Sequence, residues 1–187
     1  MLLTEFDANR QAIINPEALH EPLEGFPKIA VSCFSRLTFQ RMLEMFPHEL
    51  IYETSMANVA IPIYKLVIDE QELALFNAPV GASACVAILE DIFALGADKL
   101  VLFGTCGVLD EDIKETSIII PSHALRDEGT SFHYVEASDE IAVNVGVLDH
   151  FRSYLNERQI SHKEGKVWTT DGIYRETNGK LKARKSA

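Results

Sequence analysis

Four short polar runs in this chain carry side chains of the kind that hold anions, sugars and flat heterocycles. In Gly104-Thr105-Cys106-Gly107, two glycines allow close backbone approach, successive N–H groups can form an anion nest, and Thr105 adds a hydroxyl. The run Arg126-Asp127-Glu128-Gly129-Thr130-Ser131-Phe132-His133-Tyr134 gathers a guanidinium, two hydroxyls, an imidazole and a phenol, a set able to meet a sugar, a base or an anion. Thr169-Thr170-Asp171-Gly172-Ile173-Tyr174-Arg175-Glu176 offers hydroxyls, an acid and an aromatic, suited to one wall of a base pocket. Ser32-Cys33-Phe34-Ser35-Arg36 sets an arginine where a helix begins, a ready anion site. Each run taken alone has a plainer reading. These are a tight turn, an exposed loop of mixed charge, a helix N-cap at Thr170 or Asp171, and a surface arginine on a first helical turn.

The runs gain meaning from the elements that must position them. Residues 29–34 are a short apolar strand, and helical spacing follows through Leu37, Met42, Leu43 and Met45, stopping near Pro47. Strands are predicted at 50–54, 62–68 and 72–77, the last two forming a hairpin across Asp69-Glu70. Gly81-Ala82-Ser83 turns the chain into a helix over 84–95 that is apolar almost all round, destined for the interior or a subunit interface. Gly96 ends that helix, and 99–103 is a core strand opening into the 104–107 turn, so 72–103 reads as a βαβ unit. Further strands are expected over 116–121, ending at Pro121, and around Val167-Trp168. Helices are expected over 143–158 and, strongly basic, over 176–185. Residues 1–27, punctuated by Pro16, Pro22, Gly25 and Pro27, form an N-terminal arm, and 28–187 form the domain.

Composition excludes several classes of function. The chain has 187 residues, 17 basic and 28 acidic, and a formal net charge of -11. It repels phosphate backbones, so it is not expected to bind nucleic acid, and an anionic substrate must be held by a few aimed donors. Its cysteines, Cys33, Cys85 and Cys106, are odd in number and show no metal-ligand spacing, which favours a reducing, cytoplasmic setting. The N-terminus lacks the apolar core of a signal peptide, and the least charged stretch, 73–89, is broken by Asn77, Pro79 and Gly81, so no membrane association is expected. His20, His48, His150 and His162 read as surface histidines, Trp168 as core, and Cys106 as a residue that fills space.

In their order at strand ends, the four runs together resemble the purine nucleoside/uridine phosphorylase superfamily. The most specific stretch is 81–109, where the apolar helix is similar to the family's Gly-x-Pro-Ser helix running into its Gly-Thr/Ser-x-Gly turn. Residues 126–134 resemble the family's Arg-x-x-Gly-x-Ser-x-x-Tyr/Phe segment. Residues 170–174 resemble its Ser/Thr-x-Asp-x-Phe-Tyr base-pocket segment, and 32–36 stand where it carries Gly-Asp-Pro-x-Arg. The resemblance implies a three-layer α/β sandwich with a central, mostly parallel mixed sheet. It implies phosphorolysis of a nucleoside to ribose 1-phosphate and free base, with phosphate as co-substrate and no metal or organic cofactor. It also implies a homo-oligomer whose partners are the small-molecule nucleoside and phosphate. By the same resemblance Arg36, Gly81, Thr105 and Arg126 bind phosphate, and Cys106, Gly107, His133, Tyr134, Ile173 and Tyr174 meet base and ribose. All are expected to line one cleft at the carboxyl ends of strands.

Departures from the family pattern sharpen these expectations. Leu102 stands where family phosphorylases carry an arginine, which related hydrolases also lack, so a nucleoside N-ribohydrolase is a rival reading. Ser83 replaces a proline, Ile173 a stacking aromatic, and Thr177 and Gly179 a uracil-reading Gln-x-Arg pair. The family's ribose-holding Glu-Met-Glu strand and its catalytic acid are expected beyond Ala187. The 187 residues are therefore expected to associate with themselves and to phosphorolyse slowly or not at all. A non-catalytic nucleoside binder is the third reading, and no catalytic residue is assigned within the chain.

Overall fold

A serine cap fixes where the first helix begins: the Ser35 side chain accepts a hydrogen bond from the Thr38 amide at 3.2 Å, two residues after the first strand ends. The computed structural model describes residues 2–114 and 118–185. In chain order these form β1 (Ile29–Cys33), α1 (Arg36–Met45), β2 (His48–Met56), β3 (Val59–Ile68), β4 (Gln71–Asn77), α2 (Ala82–Leu95) and β5 (Lys99–Phe103). There follow β6 (Ile118–Asp127), β7 (Glu140–Ala142), α3 (Val145–Glu157), β8 (His162–Thr170) and α4 (Asn178–Lys185). The chain divides into two compact units, residues 9–105 and residues 1–8 with 106–187, and the boundary falls inside the 104–107 turn.

The unit of residues 9–105 is built on one five-stranded sheet in the order β2-β3-β4-β1-β5. Strand β1 runs parallel to both neighbours, with Ala30 opposite Ala74 and Leu100, whereas β2-β3 and β3-β4 are antiparallel. Side-chain alternation along the strands sorts the core onto two faces. Ala30, Ile61, Ile63, Ala74 and Phe76 pack with Cys85, Ile88, Ile92 and Leu95 of α2. Cys33, Leu66 and Leu75 pack with Phe39 of α1, backed by Met42 and Leu43. One sheet with a helix on each face gives the three layers. The βαβ unit is β4-α2-β5, and β1 lies between its two strands. The hairpin joining β3 to β4 puts both Asp69 (φ 48°) and Glu70 (φ 64°) in the left-handed region, the backbone a two-residue I′ turn requires.

His20, expected on the surface, is mostly enclosed here. Its side chain is 14% exposed and its Nε2 lies 3.0 Å from Asp91 Oδ1, while its Nδ1 is 3.2 Å from the Tyr52 hydroxyl. Thr54 Oγ1 donates to the other Asp91 oxygen at 2.7 Å. A polar chain thus fastens the N-terminal arm to α2 and β2. The arm's residue type alone could not reveal this, because all three partners lie far along the sequence.

The second unit has a three-stranded sheet in the order β7-β6-β8. Strands β6 and β8 are parallel over their length, from Ile118 opposite His162 to Asp127 opposite Thr170, and β7 is antiparallel to β6. The strand expected to stop at Pro121 instead continues to Asp127. Proline cannot donate to a ladder, but the register shifts between Pro121 and His123, and a bulge is where a strand tolerates proline. The expected start of this strand at Thr116 and Ser117 lies outside the described residues. Strand β8 is longer than the Val167-Trp168 core predicted for it, and β7 was not foreseen, since its three residues are all exposed. Among the described residues no helix is long and apolar enough to cross a membrane.

Candidate functional site

Three of the residues singled out in the sequence leave the same edge of the first unit's sheet. Cys33, the last residue of β1, is in register with Asn77, the last of β4, and with Phe103, the last of β5. Because the three strands are parallel neighbours, the loops bearing Arg36, Gly81 and Thr105 emerge side by side at their carboxyl ends, where open α/β sheets bind ligands. Arg36 is the first residue of α1 and is exposed. Gly81 caps α2 at φ 111°, where an L side chain would be strained, and offers no side chain to the first-turn amides. Two helix N-termini therefore open at this edge, and both favour negative charge.

Side chains lock these strand ends together. Ser32 is fully buried; its Oγ donates to the Phe76 carbonyl at 3.0 Å and accepts from the Ala78 amide at 3.0 Å. Asn77 Nδ2 donates to the Cys33 carbonyl at 2.5 Å. Gly104 lies close under Phe34: a Cβ there would be 3.0 Å from the ring, which would have to shift by a few tenths of an ångström. Leu102 is opposite Ser32 on the edge strand and 38% exposed. Ser32 and Asn77 are positioning residues whose sequence signal is weak, being polar side chains at the ends of apolar strands.

In the second unit the strand ends again carry the chemistry. Strands β6 and β8 end together at Asp127 and Thr170. The Gly129 amide donates to Asp171 Oδ2 at 2.9 Å, and the Asp171 amide donates to the Asp127 carbonyl at 3.2 Å, tying one loop to the other. His133 and Tyr134 follow on the first loop, and Ile173 and Tyr174 on the second. Tyr134 is 49%, Ile173 71% and Tyr174 95% exposed. Arg126, predicted on a loop, sits instead near the end of β6 and is buried. Its Nε donates to Ser131 Oγ at 2.8 Å, and its Nη1 to the Glu136 carbonyl and Ser138 Oγ, both at 2.8 Å. Phe132 lies under the guanidinium, 4.1 Å from ring centre to Cζ. Glu128 closes the loop by accepting from the Ser131 amide at 3.0 Å and from its hydroxyl. The conspicuous arginine therefore organises the loop that carries His133 and Tyr134.

Asp127, Trp168 and Lys180 form a cluster that the sequence did not disclose. Trp168 Nε1 and Lys180 Nζ each donate to Asp127 Oδ2 at 3.0 Å. Burial by itself pushes the Asp127 carboxyl up, but the hydrogen bonds from Lys180 and Trp168 and the lysine charge outweigh it and hold the group below its ordinary range. Asp127 and Trp168 meet because β6 pairs with β8, and Lys180 reaches them from α4. Burial pushes the Cys33 and Cys85 thiols up. Cys106 and Gly107 are both exposed and lie outside any helix or strand. Cys106 thus does not fill interior space as expected, because the chain beyond β5 leaves the sheet.

Comparison with known proteins places these observations in a family. Residues 28–187 match the family described as the phosphorylase superfamily. A uridine phosphorylase of Treponema pallidum (strain Nichols) is 25% identical over 105 residues, which is 56% of this chain and 41% of that protein. The aligned stretch is less than half the length of each curated relative it matches. Among solved structures, uridine phosphorylase from Vibrio fischeri ES114 superposes with a TM-score of 0.75 at 18% identity, covering 93% of this chain and 72% of that one. A 5'-methylthioadenosine/S-adenosyl homocysteine nucleosidase from Helicobacter pylori superposes with a TM-score of 0.67 at 18% identity, covering 87% and 72%. The shared architecture is the nucleoside phosphorylase-like α/β sandwich with a mixed sheet.

Proposed function

Because the chain belongs to the phosphorylase superfamily, we propose that it cleaves the N-glycosidic bond of a nucleoside with inorganic phosphate, releasing ribose 1-phosphate and the free base. A phosphate oxygen forms the new bond to the anomeric carbon. The carbon–nitrogen bond breaks, and its electron pair leaves with the base, which takes up a proton. The sugar carries positive charge in the transition state, as in glycoside cleavage, so a phosphate dianion held beside it both reacts and stabilises that charge.

The single observation that carries this reading is the convergence of Arg36, the Gly81 helix start and Thr105 at the ends of three adjacent parallel strands. In the proposed roles, the guanidinium and the first-turn amides of α2 hold phosphate oxygens and Thr105 donates its hydroxyl. Arg126 belongs to the oxyanion-binding set, Cys106, Gly107, His133 and Tyr134 contact ribose and base, and Ile173 and Tyr174 flank the base. Phosphate is co-substrate and no cofactor is used. A charge-assisted bidentate contact contributes about 1.5–3 kcal/mol. Arg36→Ala is therefore expected to weaken phosphate binding, measured calorimetrically, by roughly tenfold or more; unchanged affinity removes Arg36 from the site.

One observation favours a hydrolytic alternative. Leu102 places an apolar side chain near the end of β5 where a second phosphate cation would be expected, and water then replaces phosphate as nucleophile. A non-catalytic nucleoside binder is separated from both enzymes by ligand binding without turnover. We also assign a homo-oligomer in the cytoplasm. On α3, Val147, Phe151 and Tyr154 recur on one face and are 50%, 38% and 51% exposed, an apolar seam suited to association. Sedimentation at micromolar protein tests that assignment, and a well-folded monomer contradicts it.

A further inference from the structure

A cleft in the second unit is bordered by Leu125, Arg126, Asp139, Glu140 and Arg184 and has a volume of about 460 Å³. Two of its lining residues are arginines with buried N–H groups that lack acceptors. Arg126 is 7% exposed, and its Nη2 has no hydrogen-bond partner among the described residues. The same is true of Arg184 Nε. The Arg126 guanidinium cannot easily turn away, because Ser131, Ser138 and the Glu136 carbonyl fix its other nitrogens and Phe132 lies against its face. Buried charged donors without acceptors are costly, and both of these belong to residues that line one cleft, where an incoming acceptor would relieve them.

The surrounding charges narrow the class of that acceptor. Glu140 is paired with Lys166 at 2.8 Å, which quiets one of the two lining carboxylates. Asp139 is the other, and it remains the anionic group an incoming acceptor must tolerate. Counting Lys166, the wall has three basic and two acidic side chains. A guanidinium edge prefers a planar or tetrahedral oxyanion over a neutral carbonyl. We propose that this cleft binds a small organic or inorganic oxyanion, carboxylate or phosphate, between Arg126 and Arg184. Arg126 also stands in the oxyanion set proposed above, but this proposal is argued from residues of the second unit alone.

The test uses the protein's single tryptophan. The Arg184 Cζ lies 5.9 Å from the Trp168 ring centre, so an anion that draws Arg184 inward alters Trp168 emission. The full chain is titrated at constant ionic strength with inorganic phosphate, with citrate and with chloride. The expected result is a saturable change with phosphate or citrate and none with chloride; which of the two saturates at lower concentration identifies the class. Arg184→Gln should weaken the response tenfold or more, and Asp139→Asn should strengthen it several-fold. Arg184 is on α4 and only half-buried, so its variant is expected to fold, which circular dichroism verifies. Chloride reproducing the change, no saturable change with either oxyanion, or an unaltered response in both Arg184→Gln and Asp139→Asn overturns the proposal.

Discussion

Replacing Ser32 with alanine removes one hydroxyl that serves two buried strand ends. The Phe76 carbonyl loses a donor and the Ala78 amide loses its acceptor, each now 3.0 Å from Ser32 Oγ. Ser32 and Phe76 are 0% exposed and Ala78 is 3% exposed, so water cannot readily replace the hydroxyl. Stranding one buried donor costs about 1–3 kcal/mol and losing a second bond about 1 kcal/mol more. The expected loss is thus roughly 2–4 kcal/mol. For a chain of this size it lowers the melting temperature by roughly 5–12 °C. Circular dichroism melts of the wild type and Ser32→Ala measure it, with Ser32→Cys, which keeps a weak donor and acceptor, expected between them. Because Ala78 leads into the Gly81 turn, phosphate affinity should fall in Ser32→Ala although Arg36 is intact. A melting temperature within about 1 °C of wild type would refute the claim that Ser32 joins the ends of β1 and β4.

Three further outcomes follow from other parts of the fold. Glu70→Gly relieves a left-handed non-glycine residue in the β3–β4 hairpin and should stabilise the protein by about 1 kcal/mol, read as a higher melting temperature. The Asp127 carboxyl is held below its ordinary value, so its contribution to stability is complete above the unfolded carboxyl pKa of about 4 and is lost as pH falls through the folded value. Asp127→Asn should therefore be less stable than wild type at neutral pH, and the gap should close on acidification; a gap that widens contradicts the assignment. An aromatic disulfide reagent should modify Cys106 in the native protein, and Cys33 and Cys85 only on unfolding, because the first is exposed and the other two are buried; three equally fast thiols would contradict the burial of β1 and α2.

What the sequence made legible was whatever depends on local pattern. The apolar runs at 29–34, 72–77 and 99–103, the capping glycines at 81 and 96 and the Asp69-Glu70 turn predicted the elements of the first unit closely, because strand alternation and helix caps are written in neighbouring residues. Proline misled at position 121, since a bulge that accommodates it depends on the partner strand β8. The candidate site was legible as residue types at strand ends, Arg36, Gly81 and Thr105 among them. Its supports were not legible: the Ser32 bridge, the Asp127-Trp168-Lys180 cluster and the His20-Asp91 contact all join residues more than thirty positions apart. Arg126 has nearer partners, Ser131, Glu136 and Ser138, yet its role in ordering its own loop was equally hidden, because it depends on how that loop folds back on β6.

The most direct test of the proposed reaction is where the pentose goes. Concentrated protein is incubated with purine and pyrimidine nucleosides, with and without inorganic phosphate, and free base, ribose and ribose 1-phosphate are separated and quantified. The account predicts slow release of base matched by ribose 1-phosphate, and none when phosphate is withheld. Free ribose formed in phosphate-free buffer, or no cleavage together with no measurable binding of phosphate, would contradict it.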